Sequence, residues 1–116
     1  MRDDKLSKQS MDFAVMIIEL VKQLKTQHES IISGQIGRSG TSIGANIREA
    51  QYAHGKSDFI AKLQIALKES NETSFWLELL NKTGYIHDEQ FKELENLNIS
   101  IRTMLISSIN TAKSST

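Results

Sequence analysis

The chain has no cysteine and no proline among its 116 residues. Without cysteine, neither a disulfide framework nor a thiolate metal site can form. Only three histidines remain as soft metal ligands, and His28, His54 and His87 show no zinc-binding spacing. The absence of proline suits long uninterrupted helices, because a proline inside a helix removes a hydrogen bond and clashes with the preceding turn. We therefore predict an all-α fold with no bound metal and no cofactor.

An excess of charge of one sign is also lacking, since 14 basic residues balance 14 acidic ones. The whole molecule therefore carries no polyanion-binding signature. Its halves differ modestly: residues 1–68 hold 10 basic and 7 acidic residues, whereas the remainder holds 4 and 7. A mildly basic face and a solvated surface of uneven charge explain this difference about equally well.

Long apolar runs are absent as well. No stretch approaches the roughly 20 apolar residues of a membrane span, and the first residues contain no apolar signal core. We therefore expect a cytoplasmic protein with no membrane contact. With 39% hydrophobic residues, a chain of this length is able to bury the core of one domain.

The spacing of apolar residues predicts four helices, at about 4–28, 30–53, 57–83 and 88–112. Ser30 and Ser57 are the predicted N-caps of the second and third helices, and Gly84 is the predicted C-cap of the third. In the first helix, Ile18 is expected to widen the apolar core stripe. Long helices joined by short connections predict a single domain over residues 1–116, an antiparallel up-down-up-down four-helix bundle.

The second predicted helix is unusually rich in glycine. At about 100° per residue, three of its glycines share a strip beside a stripe of isoleucines. Each glycine inside a helix costs about 1 kcal/mol relative to alanine, so these positions need a compensating reason. Close approach of another helix is the physical candidate, because a Cβ would prevent it. The predicted helix-packing and oligomer residues are Gly37, Gly40, Gly44 and Asn46.

Every predicted helix has an apolar surface wider than the two positions per heptad of a coiled-coil seam. A lone bundle of this size covers such surfaces with difficulty, so we expect the chain to form a homo-oligomer. A helix from a different protein partner would fit the same surfaces, and the pattern does not separate the two alternatives.

Acidic residues on the third helix suggest a carboxylate metal bundle as another alternative. Such sites use a Glu-x-x-His pair on facing helices, and the histidine is missing next to Glu69, Glu72 and Glu78. The favoured interpretation is a structural hydrogen bond or ion pair in which Glu72 accepts from Arg38, Arg48 or Asn46. Because no nucleophile and base accompany these carboxylates, we predict no enzymatic activity and no catalytic residues.

Cationic residues follow the glycine-rich segment. Individually they are ordinary solvated charges, but a ring of subunits would repeat them and so raise the number of phosphate contacts. The segment from Ala50 to Ser57 fits a loose phosphate-binding loop pattern, yet a helix precedes it where a strand is required. A weaker alternative places a nucleic acid phosphate near Gly55 at the start of the third helix. The candidate nucleic-acid contacts are Arg38, Arg48, Lys56 and Lys62.

The segment from Ser42 to Glu49, SIGANIRE, resembles the SxxANIxEG signature of the bacterial four helix bundle protein family, also called the 23S rRNA intervening-sequence proteins. The KSDF turn at residues 56–59 and the LQIAL segment at residues 63–67 are similar to the same family. Two positions depart from its pattern: Ala50 replaces a usual glycine, and Lys68 with Glu69 replaces a common small pair.

The resemblance implies a small cytoplasmic bundle that assembles into a homopentameric ring. It also implies a similarity to the accessory variability determinant proteins of diversity-generating retroelements, which bind nucleic acid and a reverse transcriptase through a basic pentameric barrel. Together with the residues above, this leads to the hypothesis of a non-enzymatic oligomeric bundle that acts as a scaffold or as an accessory factor associated with RNA or another nucleic acid.

Overall fold

The computed structural model describes residues 4–115 and contains four α-helices in that range, α1 (Lys5–Thr26), α2 (Ile32–Gln51), α3 (Lys56–Lys82) and α4 (Asp88–Ser114). The short connections make successive helices antiparallel. Each helix packs against two neighbours in the cyclic order α1, α2, α3, α4, and among the described residues the backbones of the diagonally placed helices lie farther apart. The bundle measures 50 × 21 × 20 Å. The prediction of an all-α four-helix bundle is confirmed.

A glutamate, not the predicted serine, caps α2. Glu29 is only 6% exposed, and its carboxylate accepts hydrogen bonds from the backbone N–H groups of Ile31 (2.9 Å), Ile32 (2.7 Å) and Ser33 (2.7 Å). These bonds satisfy amides that have no partner within the helix, and the negative charge lies at the favourable end of the helix dipole. The prediction of Ser30 as the cap is wrong, because the longer side chain one residue earlier reaches the amides.

The start of α3 also differs from the prediction. The helix begins at Lys56, and Gly55 occupies the N-cap position without a side-chain hydrogen bond. Ser57 therefore lies inside the first turn and is not the cap. At α1, by contrast, Asp4 accepts a hydrogen bond from the Ser7 N–H (2.9 Å), as expected of an acidic N-cap.

The hydrophobic core runs the length of the bundle and takes side chains from all four helices. The isoleucine stripe of α2 is fully buried, as its spacing predicts. Ile18 does not join the core of α1, because it is 45% exposed on the opposite side of that helix. The largest fully buried side chains of the four helices are Phe13, Ile17, Leu20, Leu24, Ile36, Ile43, Ile47, Leu63, Leu77, Leu80 and Ile101.

Polar side chains join α4 to its neighbours. The fully buried Asn98 accepts from the Ser70 hydroxyl (2.7 Å) and donates to the Ser70 carbonyl (3.1 Å) and the Ser74 hydroxyl (3.0 Å). On the other side, the amides of Gln23 and Gln90 donate to each other across α1 and α4. These satisfied groups fix the register of α4.

Within residues 4–115, none of the helices is both long enough and apolar enough to cross a membrane.

Candidate interaction surfaces

The glycines of α2 lie against α1 of the same chain. A Cβ added at Gly40 would lie 2.7 Å from Ile17 Cγ1, well inside van der Waals contact. At Gly44 it would lie 3.3 Å from the Ser10 carbonyl oxygen, and at Gly37 it would lie 3.3 Å from a methyl group of α1. The two helices therefore approach closely along this strip, within one subunit.

Asn46 is not part of this contact. Its side-chain amide donates to the Ser42 carbonyl (2.9 Å) one turn earlier in the same helix. The structure therefore brings three of the predicted packing residues together and leaves the fourth apart. Their role between subunits stays a prediction.

A groove of about 690 Å³ opens on the outer side of the contact between α1 and α2. Its floor is made of small residues, Ala14, Gly44 and Ala45, so the helices leave a concave surface. Two large side chains stand beside it: Met11 is 49% exposed and Tyr52 is 79% exposed. The groove is completed by Ser7, Ser10, Thr41, Ile47, Arg48, Glu49 and Gln51.

The solvent side of α1 carries a short apolar stripe. Met11, Val15 and Ile18 follow one another at spacings of four and three residues and are 45–55% exposed. Since the opposite face of α1 is in the core, this helix has apolar side chains on two sides. Such a pattern is typical of a helix that is covered on both sides.

The outer face of α3 forms a second apolar surface, which we call the α3 ridge, defined by Ile65, Phe75, Trp76 and Leu79. Phe75 is 58% exposed and Ile65 is 42% exposed. The rings of Phe75 and Trp76 pack edge to face, with centroids 5.0 Å apart. The Trp76 indole N–H donates to Glu72 (3.0 Å), which fixes the orientation of the ring.

Arg38 joins α2 to the carboxylates of α3. Its guanidinium group donates to Glu69 (3.1 Å) and to Glu72, the residue that also accepts from Trp76. Of the partners considered for Glu72, the structure selects Arg38. Because two carboxylates neutralise Arg38, it is a weaker phosphate contact than an unpaired arginine would be.

The same ion pairs bear on the metal alternative. The carboxylates of Glu69 and Glu72 face a guanidinium group, which is not a metal ligand. Glu78 lies 4.0 Å from Lys82 on its own helix. In the part of the chain that the structure describes, no group of three or more His, Cys, Asp or Glu side chains is placed to hold a metal ion.

The other three predicted nucleic-acid contacts lie at one end of the bundle. Arg48 is exposed in the last turn of α2 and has no ion pair among residues 4–115. Lys56 donates to the Ser115 carbonyl, and Lys62 lies 3.9 Å from an Asp58 oxygen. Arg38 precedes Arg48 by ten residues, which is about 15 Å along α2. The start of α1 and the end of α4 bring three more cations to this end, Lys5, Lys8 and Lys113.

The α1–α2 groove and the polar contacts of α4 were not predicted from the sequence. A signal for the groove existed, because Ala14 and Ala45 are small residues on the two helices that the glycines bring together. The partners of Asn98 had no comparable signal, since its spacing does not show which helix it faces.

Comparisons with known proteins agree with this architecture. A family model described as 23S rRNA-intervening sequence protein matches residues 2–107. A crystal structure of a protein with unknown function from the S23 ribosomal protein family of Bacteroides thetaiotaomicron VPI-5482 is 53% identical, with a TM-score of 0.88. The match covers 90% of this chain and 97% of the chain in that crystal structure. No match was found among the curated proteins.

The resemblance based on residues 42–49 is therefore confirmed at the level of the family. The similarity to the accessory variability determinant proteins stays a prediction. By its family match and by its bundle of four helices, this chain belongs to the 23S rRNA-intervening sequence protein family.

Proposed function

We propose that this chain is a non-enzymatic subunit of a homo-oligomer, a ring of five copies, that acts as an RNA-associated scaffold or accessory protein. One observation carries the proposal: large apolar side chains remain exposed on the outer faces of a bundle whose core is already complete. Phe75, Val15 and Met11 are 58%, 55% and 49% exposed. Clustered apolar side chains at the surface mark interaction sites.

The end of the bundle that contains Arg48, Lys56 and Lys62 supports the RNA part of the proposal. A single copy offers few phosphate contacts, because the chain has no net charge. In a ring with aligned axes, each copy adds the same cations to the same side. Affinity for a polyanion then rises through the larger number of counterions released.

The charged clusters support a binding role over a catalytic one. Arg38 and its carboxylates neutralise each other on the α2–α3 surface. The hydroxyl groups of Ser70 and Ser74 are engaged in hydrogen bonds between α3 and α4. The Ser74 hydroxyl donates to the Glu95 carboxylate (2.9 Å), and Asn98 and Arg102 donate to the same hydroxyl, so this cluster is used to hold α3 and α4 together.

Light scattering of the purified protein tests the proposal, with and without a structured RNA at low and high salt. We expect a mass near five times the 13.1 kDa of the subunit, and RNA binding that weakens as salt rises. A double variant, Lys56→Gln with Lys62→Gln, is expected to keep the mass and weaken RNA binding. Lys82→Gln with Lys92→Gln, at the other end of the bundle, is the matched control. A monomer that ignores RNA would contradict the proposal.

The α1–α2 groove favours a second candidate function, an adaptor that receives a helix from another protein. Its concave floor of Ala14, Gly44 and Ala45 has the shape needed for helix-in-groove recognition. A monomeric mass in the same experiment would favour this candidate over the ring.

A further inference from the structure

We infer that the bundle contains a hinged opening, in which the α1–α2 and α3–α4 hairpins separate along the α1–α4 seam while the α2–α3 seam stays closed. A seam is the line of contact between two neighbouring helices. The opening involves the four helices of one chain and depends on neither the proposed oligomer nor the proposed RNA binding. The α1–α4 seam differs from the other three in its packing, its polar contacts and its place in the chain.

The α1–α4 seam is the least extensive contact between neighbouring helices, and the α2–α3 seam is the most extensive. A groove of about 540 Å³ lies between α1 and α4. Leu20 and Leu94 line this groove, although their side chains belong to the core and are only 1% and 2% exposed. At this seam the hydrophobic core therefore reaches the floor of a surface groove.

Two polar contacts join α1 to α4, about 21 Å apart along α1. The amides of Gln23 and Gln90 donate to each other (3.2 and 2.9 Å), and the Ser100 hydroxyl donates to Gln9 (3.1 Å). All four side chains are neutral and only partly buried. Because water competes for such groups, these hydrogen bonds contribute little net stability. Among the described residues, none of the ion pairs crosses this seam.

The other three seams are held more firmly. Along the α2–α3 seam, Arg38 donates to two carboxylates, and the buried Thr73 hydroxyl donates to Ser39 (2.8 Å). The glycine strip brings α2 close to α1, and the buried Asn98 joins α4 to α3. A short connection also spans each of these three seams, whereas α1 and α4 are the first and last helices. Separating α1 from α4 therefore stretches no connection.

These differences define the two bodies that move. Helix α1 stays with α2, and α4 stays with α3, because close packing or buried hydrogen bonds join the members of each pair. The α2–α3 seam is the hinge, since its contact is the most extensive and its polar groups are paired across it. Opening on the opposite side brings water to Leu20 and Leu94 and leaves the helices themselves intact. Such partial openings cost less free energy than global unfolding.

The reaction of buried thiols with dithionitrobenzoate measures the opening, because the chain has no cysteine of its own. Leu94→Cys places a thiol on the floor of the groove between α1 and α4. Ser39→Cys places one in the α2–α3 seam, where Ser39 is fully buried, and is the matched control. After correction for the global stability of each variant, measured by urea unfolding, we expect Leu94→Cys to react at least about tenfold faster than Ser39→Cys.

The urea dependence of the reaction separates a hinged opening from other motions. We expect the rate for Leu94→Cys to rise with urea, with a slope between zero and that of global unfolding, because the opening exposes part of the core. Leu20→Cys, on the facing helix, should show the same slope, and it replaces Leu94→Cys if that variant does not fold.

Three results would overturn the inference. A slope near zero would show a local movement of one side chain. A slope equal to that of global unfolding would show that the α1–α4 seam stays closed in the folded protein. Equal corrected rates for Leu94→Cys and Ser39→Cys would show that the two seams open together.

Discussion

His28 and Gly84 occupy the same position in two equivalent helix ends. After α1, the N–H of Glu29 donates to the Leu24 carbonyl (2.9 Å). The residue immediately before Glu29, His28, has a φ of 60°. After α3, the N–H of Tyr85 bonds in the same way to Leu80 (3.0 Å), and Gly84 has a φ of 84°. Both ends are Schellman motifs, which place one residue in the left-handed region.

The histidine at this position is predicted to cost stability. A residue with a Cβ costs about 1 kcal/mol or more in the left-handed region, whereas glycine does not. We expect His28→Gly to raise the free energy of unfolding by about 0.5–1 kcal/mol, measured by urea titration, because part of this gain is lost to the greater freedom of the unfolded chain. His28→Ala should change little, and Gly84→Ala should lower stability. A lower urea midpoint for His28→Gly would contradict this account.

The cap of α2 gives a second prediction. Glu29→Ala removes three hydrogen bonds to backbone amides and is expected to lower the free energy of unfolding by about 1–2 kcal/mol. Ser30→Ala, at the adjacent exposed position, is the matched control and should change stability by less than about 0.5 kcal/mol. Thermal unfolding followed by circular dichroism measures both. Equal effects of the two variants would show that the glutamate is not the cap.

The glycines of α2 are not equivalent, which gives a third prediction. A Cβ at Gly40 meets Ile17, whose side chain is fully buried and stiff because it is β-branched. Gly40→Ala should therefore destabilise the bundle by about 1–3 kcal/mol through overpacking. At Gly34 a Cβ meets no atom within 4 Å, so Gly34→Ala should be neutral or stabilising by up to about 1 kcal/mol. Unfolding midpoints that move together would contradict the close contact of α1 and α2.

Periodicity predicted the helices and their buried stripes because burial repeats with the helical turn. The same periodicity wrongly predicted that Ile18 belongs to the core. Each helix contacts only two other helices, so the residue next to the buried Ile17 can face solvent. The helix starts at Ser30 and Ser57 were also wrong: capping depends on which side chain reaches the amides, and several residues near each start have the required chemistry. The partners of Arg38 and Asn98 depend on the register between helices, which no single helix encodes.

Two arginines of α2 should differ in their effect on RNA binding, if the proposed function holds. Arg38 is neutralised by two carboxylates, whereas Arg48 has no ion pair among the described residues. Arg48→Gln is expected to weaken RNA binding and to reduce the slope of log affinity against log salt by about one per lost phosphate contact. Arg38→Gln should leave that slope unchanged. The measurement is a fluorescence anisotropy titration of labelled RNA at several salt concentrations, with light scattering to confirm that both variants keep the wild-type mass. An equal loss for both arginines would contradict the assignment of the end of the bundle that contains Arg48, Lys56 and Lys62 as the RNA surface.

The buried amide of Asn98 is expected to be the most sensitive polar position of the bundle. Asn98→Ala removes its hydrogen bonds to Ser70 and Ser74 and leaves the Ser70 carbonyl and hydroxyl with fewer partners between α3 and α4. Because a buried polar group that loses its partner costs about 1–3 kcal/mol and a small cavity adds to that cost, we expect a loss of about 2–4 kcal/mol in the free energy of unfolding. Asn96→Ala, at an exposed position of the same helix, is the control and should stay within about 0.5 kcal/mol of wild type.

Hydrogen exchange separates the effect of Asn98→Ala on α4 from a general loss of stability. If the network fixes the register of α4, the amides of α4 should lose protection before those of α1 and α2. Uniform loss of protection in all four helices would show that Asn98 stabilises the bundle as a whole and does not act on α4 in particular.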